Sequence, residues 1–261
     1  MLVSDKNQPS VTSGASGRRR FFAAPEQITG TEIQLSNSES WHLARVLRLG
    51  VGARVEVFDG QGQEYEAEVL ALESGQTRLQ IIRKLPDRAD SSLALTLGLA
   101  LARAETFDLV VRQATEMGIS RLIPFYCERS LVKPAGAPAS RQPRWQRLAL
   151  ETIKSCQRSR LPEISPPQSF GEVLHGREAL KIMFWEETRQ KSLKELANSI
   201  PPPASVRILI GPEGGFSAAE ADQAQAAGFT LLGLGPRRLK VETAALAALA
   251  LIQYAWGDLA E

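Results

Sequence analysis

The stretch from Ile210 to Ile252 decides how this chain folds and where its site lies. It reads IGPEGGFSAAE over residues 210–220 and LLGLGPRRLKVETAALAALALI over residues 231–252. Each part has the pattern of a strand that ends in a glycine and proline turn, with a helix directly after it. Glycines in such turns can adopt positive φ and leave backbone N–H and C=O groups uncovered. Two turns brought together can therefore hold a small ligand through the main chain.

Composition restricts the class of protein. The chain has 261 residues, of which 43% are hydrophobic, enough for one large domain or two ordinary ones. The longest apolar run, Ala244 to Ile252, is far shorter than the roughly 20 residues of a membrane-spanning helix, and no signal peptide is recognisable. We therefore expect a cytoplasmic protein without a membrane partner. Two cysteines and two histidines favour reduced thiols and predict no metal site.

The first third of the chain has the pattern of a small β-domain. Residues 1–17 are polar and lack apolar periodicity, which predicts a disordered tail. Short strand patterns separated by glycine turns predict a β-barrel over residues 18–86.

One helix interrupts these strands, in SESWHLARVLRLG at residues 38–50. Ser38 or Ser40 is expected to cap it and Gly50 to end it. The side chains expected to form its apolar side are those of Trp41, Ala44, Val46 and Leu47.

The pattern changes after a polar linker at residues 87–92. Residues 93–261 alternate apolar strands with amphipathic helices, which predicts an α/β domain with a mostly parallel sheet and helices on both faces. Ser217 and Glu220 predict a capping box at one of these helices. The segment from Arg129 to Arg160 is strongly basic, and its helix places the cations on one face, which suggests phosphate contacts. A solvated helix face is the alternative.

Two common nucleotide motifs do not fit the glycine turns. A phosphate-binding P-loop needs a lysine followed by serine or threonine, and GPEGGFS has neither. A dinucleotide fingerprint would need a third glycine where Arg238 stands. ATP and NAD are therefore disfavoured as ligands.

Several blocks of the chain match a known family. GPEGGFS and GLGPRRLKVETAALAAL closely resemble the C-terminal signature of the SPOUT methyltransferases. The blocks RRRFF, HLARVLRLGVG, VRQATEMGISRLIPFYCERS and CQRSRLPEI look like those of the RsmE family, in the same order. The resemblance covers about residues 18–258. It implies a PUA-like RNA-binding β-barrel, then a trefoil-knotted α/β domain that works as a homodimer. It also implies S-adenosylmethionine-dependent methylation of N3 of a uridine in 16S ribosomal RNA or the small ribosomal subunit.

The resemblance also implies which residues form the site. Those expected to bind the cofactor are Leu209, Ile210, Gly211, Pro212, Glu213, Gly214, Gly215, Leu232, Gly233, Leu234, Gly235, Arg237, Leu239, Thr243 and Ala244. Arg237 is the candidate cationic clamp, and Glu213 or Glu242 the candidate base, because uridine N3 must lose a proton. The alternatives are a helix-capping role for Glu242 and a loop-bracing role for Glu213.

The RNA contacts are expected to come from cations. The candidates are Arg18, Arg19, Arg20, Arg45, Arg48, Arg129, Lys133, Arg144, Arg147, Arg158, Arg160, Arg238 and Lys240. Lys240 stands where the family more often has arginine, so a bidentate contact is not available there.

Three other functions remain open at this point. One is a knotted methyltransferase with a different RNA target, and another is a non-catalytic RNA-binding factor in ribosome assembly. The third is a nucleotide-dependent α/β enzyme.

Overall fold

The computed structural model describes residues 19–73, 75–86, 90–131, 141–188 and 192–260. The chain separates into two compact units, one made of residues up to Val57 with Tyr65–Arg83, the other of Phe58–Glu64 with residues from Lys84 onward. The predicted tail at 1–17, Arg18 and residues 87–89 of the predicted linker lie outside the described residues.

The first unit is a curled six-stranded sheet, the barrel-like form that the strand pattern predicted. Its strands are β1 (Arg20–Phe22), β2 (Ile28–Thr29), β3 (Glu32–Leu35), β4 (Arg54–Phe58), β5 (Glu64–Glu73) and β6 (Gln76–Leu85), in the spatial order β1-β4-β5-β6-β3-β2. Alternate side chains of these strands fill the interior, as the period of two requires; Ile33, Val57 and Leu79 are at most 1% exposed.

The helix of this unit differs from its prediction. It consists of α1 (Asn37–Trp41) and a π-helical turn (His42–Val46). Its cap is Ser36, whose Oγ accepts a hydrogen bond from the Glu39 N–H at 3.3 Å, so the prediction of Ser38 or Ser40 was wrong. The helical segment ends at Val46, before Gly50.

The predicted apolar side of this helix was also wrong. Trp41, Val46 and Leu47 are 62%, 49% and 37% exposed, and Ala44 is only half-buried, whereas Leu43 is fully buried. The π turn explains part of the difference, since its hydrogen bonds join residues five apart and the helical period of 3.6 no longer places side chains on one face.

The second unit is an α/β layer structure. Its elements are β7 (Ala94–Ala100), α2 (Ala104–Glu116), β8 (Arg121–Tyr126), α3 (Gln142–Cys156), β9 (Glu163–Ile164), β10 (Gln168–Ser169), α4 (Phe170–Val173), β11 (Leu180–Phe184), α5 (Leu193–Ser199), β12 (Ser205–Ile210), α6 (Ala218–Ala226), β13 (Thr230–Leu232) and α7 (Val241–Trp256). The sheet order is β10-β8-β7-β12-β11-β13, with β9 also on β8. All of these pairs are parallel, which confirms the predicted sheet.

Apolar layers cover both faces of this sheet, as a parallel sheet requires. Leu97 and Ile208 face one layer, which includes Trp145 of α3. Phe125 faces the other, where its ring stacks on that of Phe216 with centroids 6.2 Å apart. Among the described residues, no helix is both long and apolar enough to cross a membrane.

The register of β11 positions the two glycine turns. Phe184, the last residue of β11, pairs with Ile210 at the end of β12 and with Leu232 at the end of β13. The turns that follow β12 and β13 therefore begin level with the same residue, on opposite sides of one strand.

A buried ion pair fixes β12 to the loop before β11. Arg207 Nη2 donates to Glu178 Oε1 at 2.9 Å, and Arg207 Nη1 donates to the carbonyl oxygens of Val173 and His175. Burial by itself would raise the pKa of Glu178, but the hydrogen bond and charge of Arg207 hold that pKa below its ordinary value. The carboxylate is thus ionised at neutral pH.

Candidate functional site

A cavity of about 280 Å³ lies where β11, β12 and β13 end. It is lined by Arg129, Phe184, Trp185, Glu186, Glu187, Ile210, Gly211, Pro212, Glu213, Gly214, Gly215, Phe216, Leu234, Gly235, Arg237, Arg238, Leu239, Val241 and Ala244. The carboxyl ends of parallel strands are where open α/β sheets bind ligands, so the position agrees with the general rule.

In the first turn, after β12, neighbouring side chains lie so close to the backbone that the turn needs glycine. Gly215 has φ of 70°, and a Cβ there would collide with the carboxylate of Glu186. The Gly215 N–H donates to the Pro212 carbonyl at 2.9 Å, which closes the turn. A Cβ on Gly211 would lie 3.1 Å from the ring of Phe216. The turn therefore presents its main chain to the cavity.

The second turn, after β13, passes tightly against the segment that follows β11. A Cβ on Gly233 would lie 2.8 Å from the backbone oxygen of Thr188, closer than real Cβ contacts allow. Gly235 has φ of 87°, which only glycine adopts readily. The Trp185 N–H donates to the Leu232 carbonyl at 2.9 Å and continues the pairing of β11 with β13.

Two side chains, one from the loop after β8 and one from the segment after β11, hold the first turn in place. Arg129 Nη1 donates to the carbonyl oxygens of Gly214 at 3.1 Å and Phe216 at 3.4 Å. Trp185 Nε1 also donates to the Phe216 carbonyl, at 3.3 Å. The turn is thereby fixed from the β8 side and from the β11 side.

The carboxylate of Glu220 completes this bracing. Its Oε2 accepts from the Ser217 N–H at 2.9 Å, while Ser217 Oγ accepts from the Glu220 N–H, which confirms the predicted capping box. Its Oε1 accepts from the Glu128 N–H at 2.7 Å. One buried glutamate therefore ties the start of α6 to the loop after β8.

Cys127, in the same loop, is not a nucleophile at neutral pH. Burial raises the pKa of its thiol to about 11, against the lowering effect of its hydrogen bond with Ser130. The thiol stays protonated, and we assign it no part in the chemistry.

The lining fits the cofactor that the resemblance implies. Apolar side chains such as Ile210, Leu234 and Leu239 suit a flat ring, and uncovered backbone groups suit hydroxyl and amino groups. The carboxylates of Glu186, Glu187 and Glu213 suit a ligand that carries positive charge. Among the described residues, no group of three or more His, Cys, Asp or Glu side chains is arranged to hold a metal ion.

The structure brings most of the predicted cofactor residues to one cavity, with four exceptions. Leu209 and Leu232 are fully buried in the apolar layers, and Gly233 lines a neighbouring depression. Thr243 is exposed on α7, outside the described lining.

The candidate catalytic residues are divided. Arg237 and Glu213 line the cavity, whereas Glu242 lies in the first turn of α7, outside the described lining. The position of Glu242 agrees with the alternative of a favourable helix-end charge.

Sequence reasoning missed the lining residues that follow β11. These are Trp185, Glu186 and Glu187, with Phe184 at the end of the strand. Trp185, Glu186 and Glu187 come directly after a buried strand, which is the available signal, but the segment contains no glycine to indicate a turn.

Two predicted RNA contacts are incorrect as stated. Arg20 is 5% exposed and its Nε lies 3.8 Å from the Glu56 carboxylate. Arg158 is 4% exposed, with its Nε 3.0 Å from Asp90 and further donors on the carbonyls of Thr115 and Ile119. Buried cations satisfied by partners within the protein cannot reach a phosphate.

The other candidate cations that the structure describes are at the surface. Arg144 is held by Asp108, with Nη2 and Oδ2 2.6 Å apart. The exposed candidates are Arg19, Arg45, Arg48, Arg129, Arg144, Arg147, Arg160, Arg238 and Lys240. Arg18 and Lys133 lie outside the described residues.

Comparison with known proteins identifies the family. The model of an RNA methyltransferase domain matches residues 89–253, and that of an RNA methyltransferase PUA domain matches residues 35–82. The ribosomal RNA small subunit methyltransferase E of Synechocystis sp. is 32% identical over 89% of this chain and 76% of its own length. That of Bacillus subtilis is 26% identical, over 87% and 89% of the two chains.

A solved structure agrees with these relatives. The ribosomal RNA small subunit methyltransferase E of Neisseria gonorrhoeae, bound to S-adenosyl methionine, superimposes with a TM-score of 0.83 at 28% identity, over 93% of this chain and 99% of that one. The barrel-like first unit and the parallel α/β second unit are thus those of a SPOUT-type enzyme, and this chain belongs to the ribosomal RNA small subunit methyltransferase E family of RNA methyltransferases.

Proposed function

We propose that this protein transfers a methyl group from S-adenosylmethionine to N3 of one uridine in the 16S ribosomal RNA of the small subunit. The observation that carries the proposal is the cavity between the two glycine turns, whose main chain is open to a ligand. The family and the S-adenosyl methionine in the Neisseria structure support the identity of that ligand.

The turns would hold the cofactor chiefly through backbone groups. The segments Ile210–Phe216 and Leu234–Leu239 contribute to the cavity lining, and their apolar side chains would pack against the adenine ring. When bound, S-adenosylmethionine supplies an already activated methyl group on a sulfonium, so the protein needs to align the acceptor rather than provide a metal or a strong acid.

The acceptor needs a base and a clamp. Uridine N3 is a nucleophile only after losing its proton, and the resulting negative charge spreads onto the adjacent carbonyl oxygens. Glu213 is better placed to accept the proton than Glu242, because it lines the cavity. Arg237, also on the lining, would stabilise the charge. Because N3 lies on the Watson–Crick edge, the target uridine must be unpaired or flipped out.

The experiment is methyl transfer with the purified full chain, labelled S-adenosylmethionine and either 16S RNA or small subunits that lack the modification. The expected product is 3-methyluridine at one position, located by mass spectrometry. Arg237→Ala should lower the transfer rate about 100- to 1,000-fold, the loss expected for one donor that stabilises developing charge. Arg177→Ala, an exposed arginine on the loop before β11, is the matched control.

Three outcomes separate the alternatives. Methylation of another RNA or another base atom would identify a different target. RNA affinity without transfer, unchanged in Arg237→Ala, would favour a non-catalytic assembly factor. Failure to bind S-adenosylmethionine in calorimetry would refute the proposal as a whole.

We also propose that the protein acts as a homodimer in the cytoplasm. The C-terminal half of α7 exposes an apolar surface, with Leu251 and Tyr254 at 45% and 67%. Leu109, on the neighbouring helix α2, is 42% exposed. Exposed large apolar groups on two neighbouring helices suit a partner subunit. Tyr254→Glu should shift sedimentation toward the monomer, and an unchanged dimer would exclude this surface.

A further inference from the structure

An exposed aromatic and apolar surface on the first unit has no role in the site already described. It consists of Trp41, Arg45, Val46, Leu47, Arg48 and Val51, and we call it the Trp41 surface. Trp41 and Val51 are 62% and 68% exposed, and Val46 is 49% exposed. The helical period predicts that Trp41, Val46 and Leu47 are buried. In the structure they are exposed instead, and this exposure calls for an explanation.

The backbone holds this surface in a defined shape. In the π-helical turn the Leu47 N–H donates to the His42 carbonyl at 3.0 Å, and the Leu49 N–H donates to the Leu43 carbonyl at 3.0 Å. Leu43 and Leu49 are buried and anchor the turn in the interior. The residues between and around them are therefore directed outward from a fixed support, and π turns of this kind are frequent at functional sites.

Arg48 adds a second unusual feature. Its φ is 53°, in the left-handed region that glycine normally occupies at the end of a helix. A glycine there would relieve the cost, so an arginine at this position is explained most simply by a use for its exposed side chain.

The charge of the surface indicates its partner. From Trp41 to Val55 the sequence contains three arginines and no carboxylate. Arg54 lies 3.7 Å from Glu66, but Arg45 and Arg48 project from the exposed turn itself. Arg45 lies in the π-helical turn that begins directly after Trp41, and both side chains are exposed. An aromatic face beside cations is the arrangement with which proteins bind single-stranded nucleic acid, the base stacking and the cations contacting phosphate.

We infer that the Trp41 surface binds an unpaired nucleotide of the RNA substrate, with the base stacked on the Trp41 indole and the flanking phosphates at Arg45 and Arg48. The inference rests on the proposed function, since it assumes an RNA substrate. It adds that the first unit distinguishes RNA conformations, because it would bind strands with an accessible base more tightly than continuous duplex.

The test uses the full chain, a short single-stranded RNA rich in uridine and a duplex of equal length, with binding measured by fluorescence anisotropy. Trp41→Ala should weaken binding of the single strand about 5- to 160-fold, the range for loss of one stacked base. Trp41→Phe should retain most of the affinity because it keeps an aromatic face. Arg45→Gln should reduce the slope of log affinity against log salt by about 0.7, one phosphate contact on a single strand.

Two controls separate this effect from unfolding and from loss of the active site. Ile82→Ala removes another exposed apolar side chain of the same unit, 42% exposed on β6, and should leave RNA affinity unchanged. Thermal unfolding and S-adenosylmethionine affinity of Trp41→Ala should match the wild type, because the side chain is exposed and lies outside the cavity.

The inference is overturned if Trp41→Ala binds the single strand as tightly as the wild type. It is also overturned if the variant loses association with small subunits while keeping its affinity for naked RNA, which would indicate a protein partner. Either result can coexist with normal methyl transfer by the wild type, so the proposed function would stand. A wild type that neither binds ribosomal RNA nor transfers methyl would refute the proposed function instead.

Discussion

Replacing Arg129 by alanine tests whether this arginine positions the cofactor turn or contacts RNA. The sequence places it in the basic segment Arg129–Arg160, among the predicted RNA contacts, whereas in the structure its guanidinium donates to the carbonyl oxygens of Gly214 and Phe216. These two functions predict opposite results for two affinities that can be measured separately.

The magnitude follows from the geometry. The contact to Gly214 at 3.1 Å is a normal hydrogen bond, and that to Phe216 at 3.4 Å is long and weak. A hydrogen bond from a charged donor contributes roughly 1.5–3 kcal/mol. Because Arg129 is exposed, we take the low end of this range for its hydrogen bond. We expect a loss of about 1.5 kcal/mol in cofactor binding, or roughly tenfold in Kd.

Calorimetry with S-adenosylmethionine and anisotropy with ribosomal RNA provide the two affinities. Arg129→Ala should weaken the first about tenfold and change the second by less than about twofold, within the usual effect of one exposed charge. Arg147→Ala, on the exposed face of α3, is the matched control and should leave cofactor affinity unchanged. Unaltered cofactor affinity together with weakened RNA binding would refute the reasoning.

Further predictions concern the turns and the buried polar groups. Gly215→Ala should weaken cofactor binding by roughly 1–2 kcal/mol, since alanine disfavours positive φ and its Cβ meets Glu186; calorimetry would contradict this if affinity were unchanged. Glu178→Gln should lower the free energy of unfolding at pH 7 by about 2 kcal/mol. Because Arg207 lowers the pKa of Glu178 in the folded chain, this stabilisation is fully present above the ordinary glutamate pKa of about 4.3 and is lost as the pH falls through the lowered pKa, so denaturant curves of wild type and variant should converge in strong acid. Alkylation of Cys127 should be slow at pH 7 and accelerate toward its pKa of about 11; rapid alkylation at pH 7, located by peptide mass spectrometry, would show an ionised thiol.

The sequence predicted those features that local pattern controls. A parallel sheet could be predicted from the buried runs of β7 and β12 and from the amphipathic helices between strands. The glycines of the two turns indicated where most of the cavity lies. The side of the helix on which Trp41 lies could not be predicted, because a π turn leaves no periodic signal. The role of Arg158 could not be predicted either, since its partner Asp90 is 68 residues away in sequence. Long-range partners of this kind are set by tertiary packing.

The common register of β12 and β13 on β11 means that the distance between the two turns of the proposed cofactor site is set by backbone pairing. Neighbouring strands lie about 4.8 Å apart, so two turns on either side of one strand begin about 9.6 Å from each other whatever side chains line them. Substitutions in the lining can therefore alter which ligand fits while the spacing of the two turns stays the same. A one-residue slip of β13 alone would instead displace one turn along the strand by about 3.3 Å and turn its side chains to the opposite face of the sheet. The hydrogen-bond ladder of β11 thus sets the spacing of the two turns.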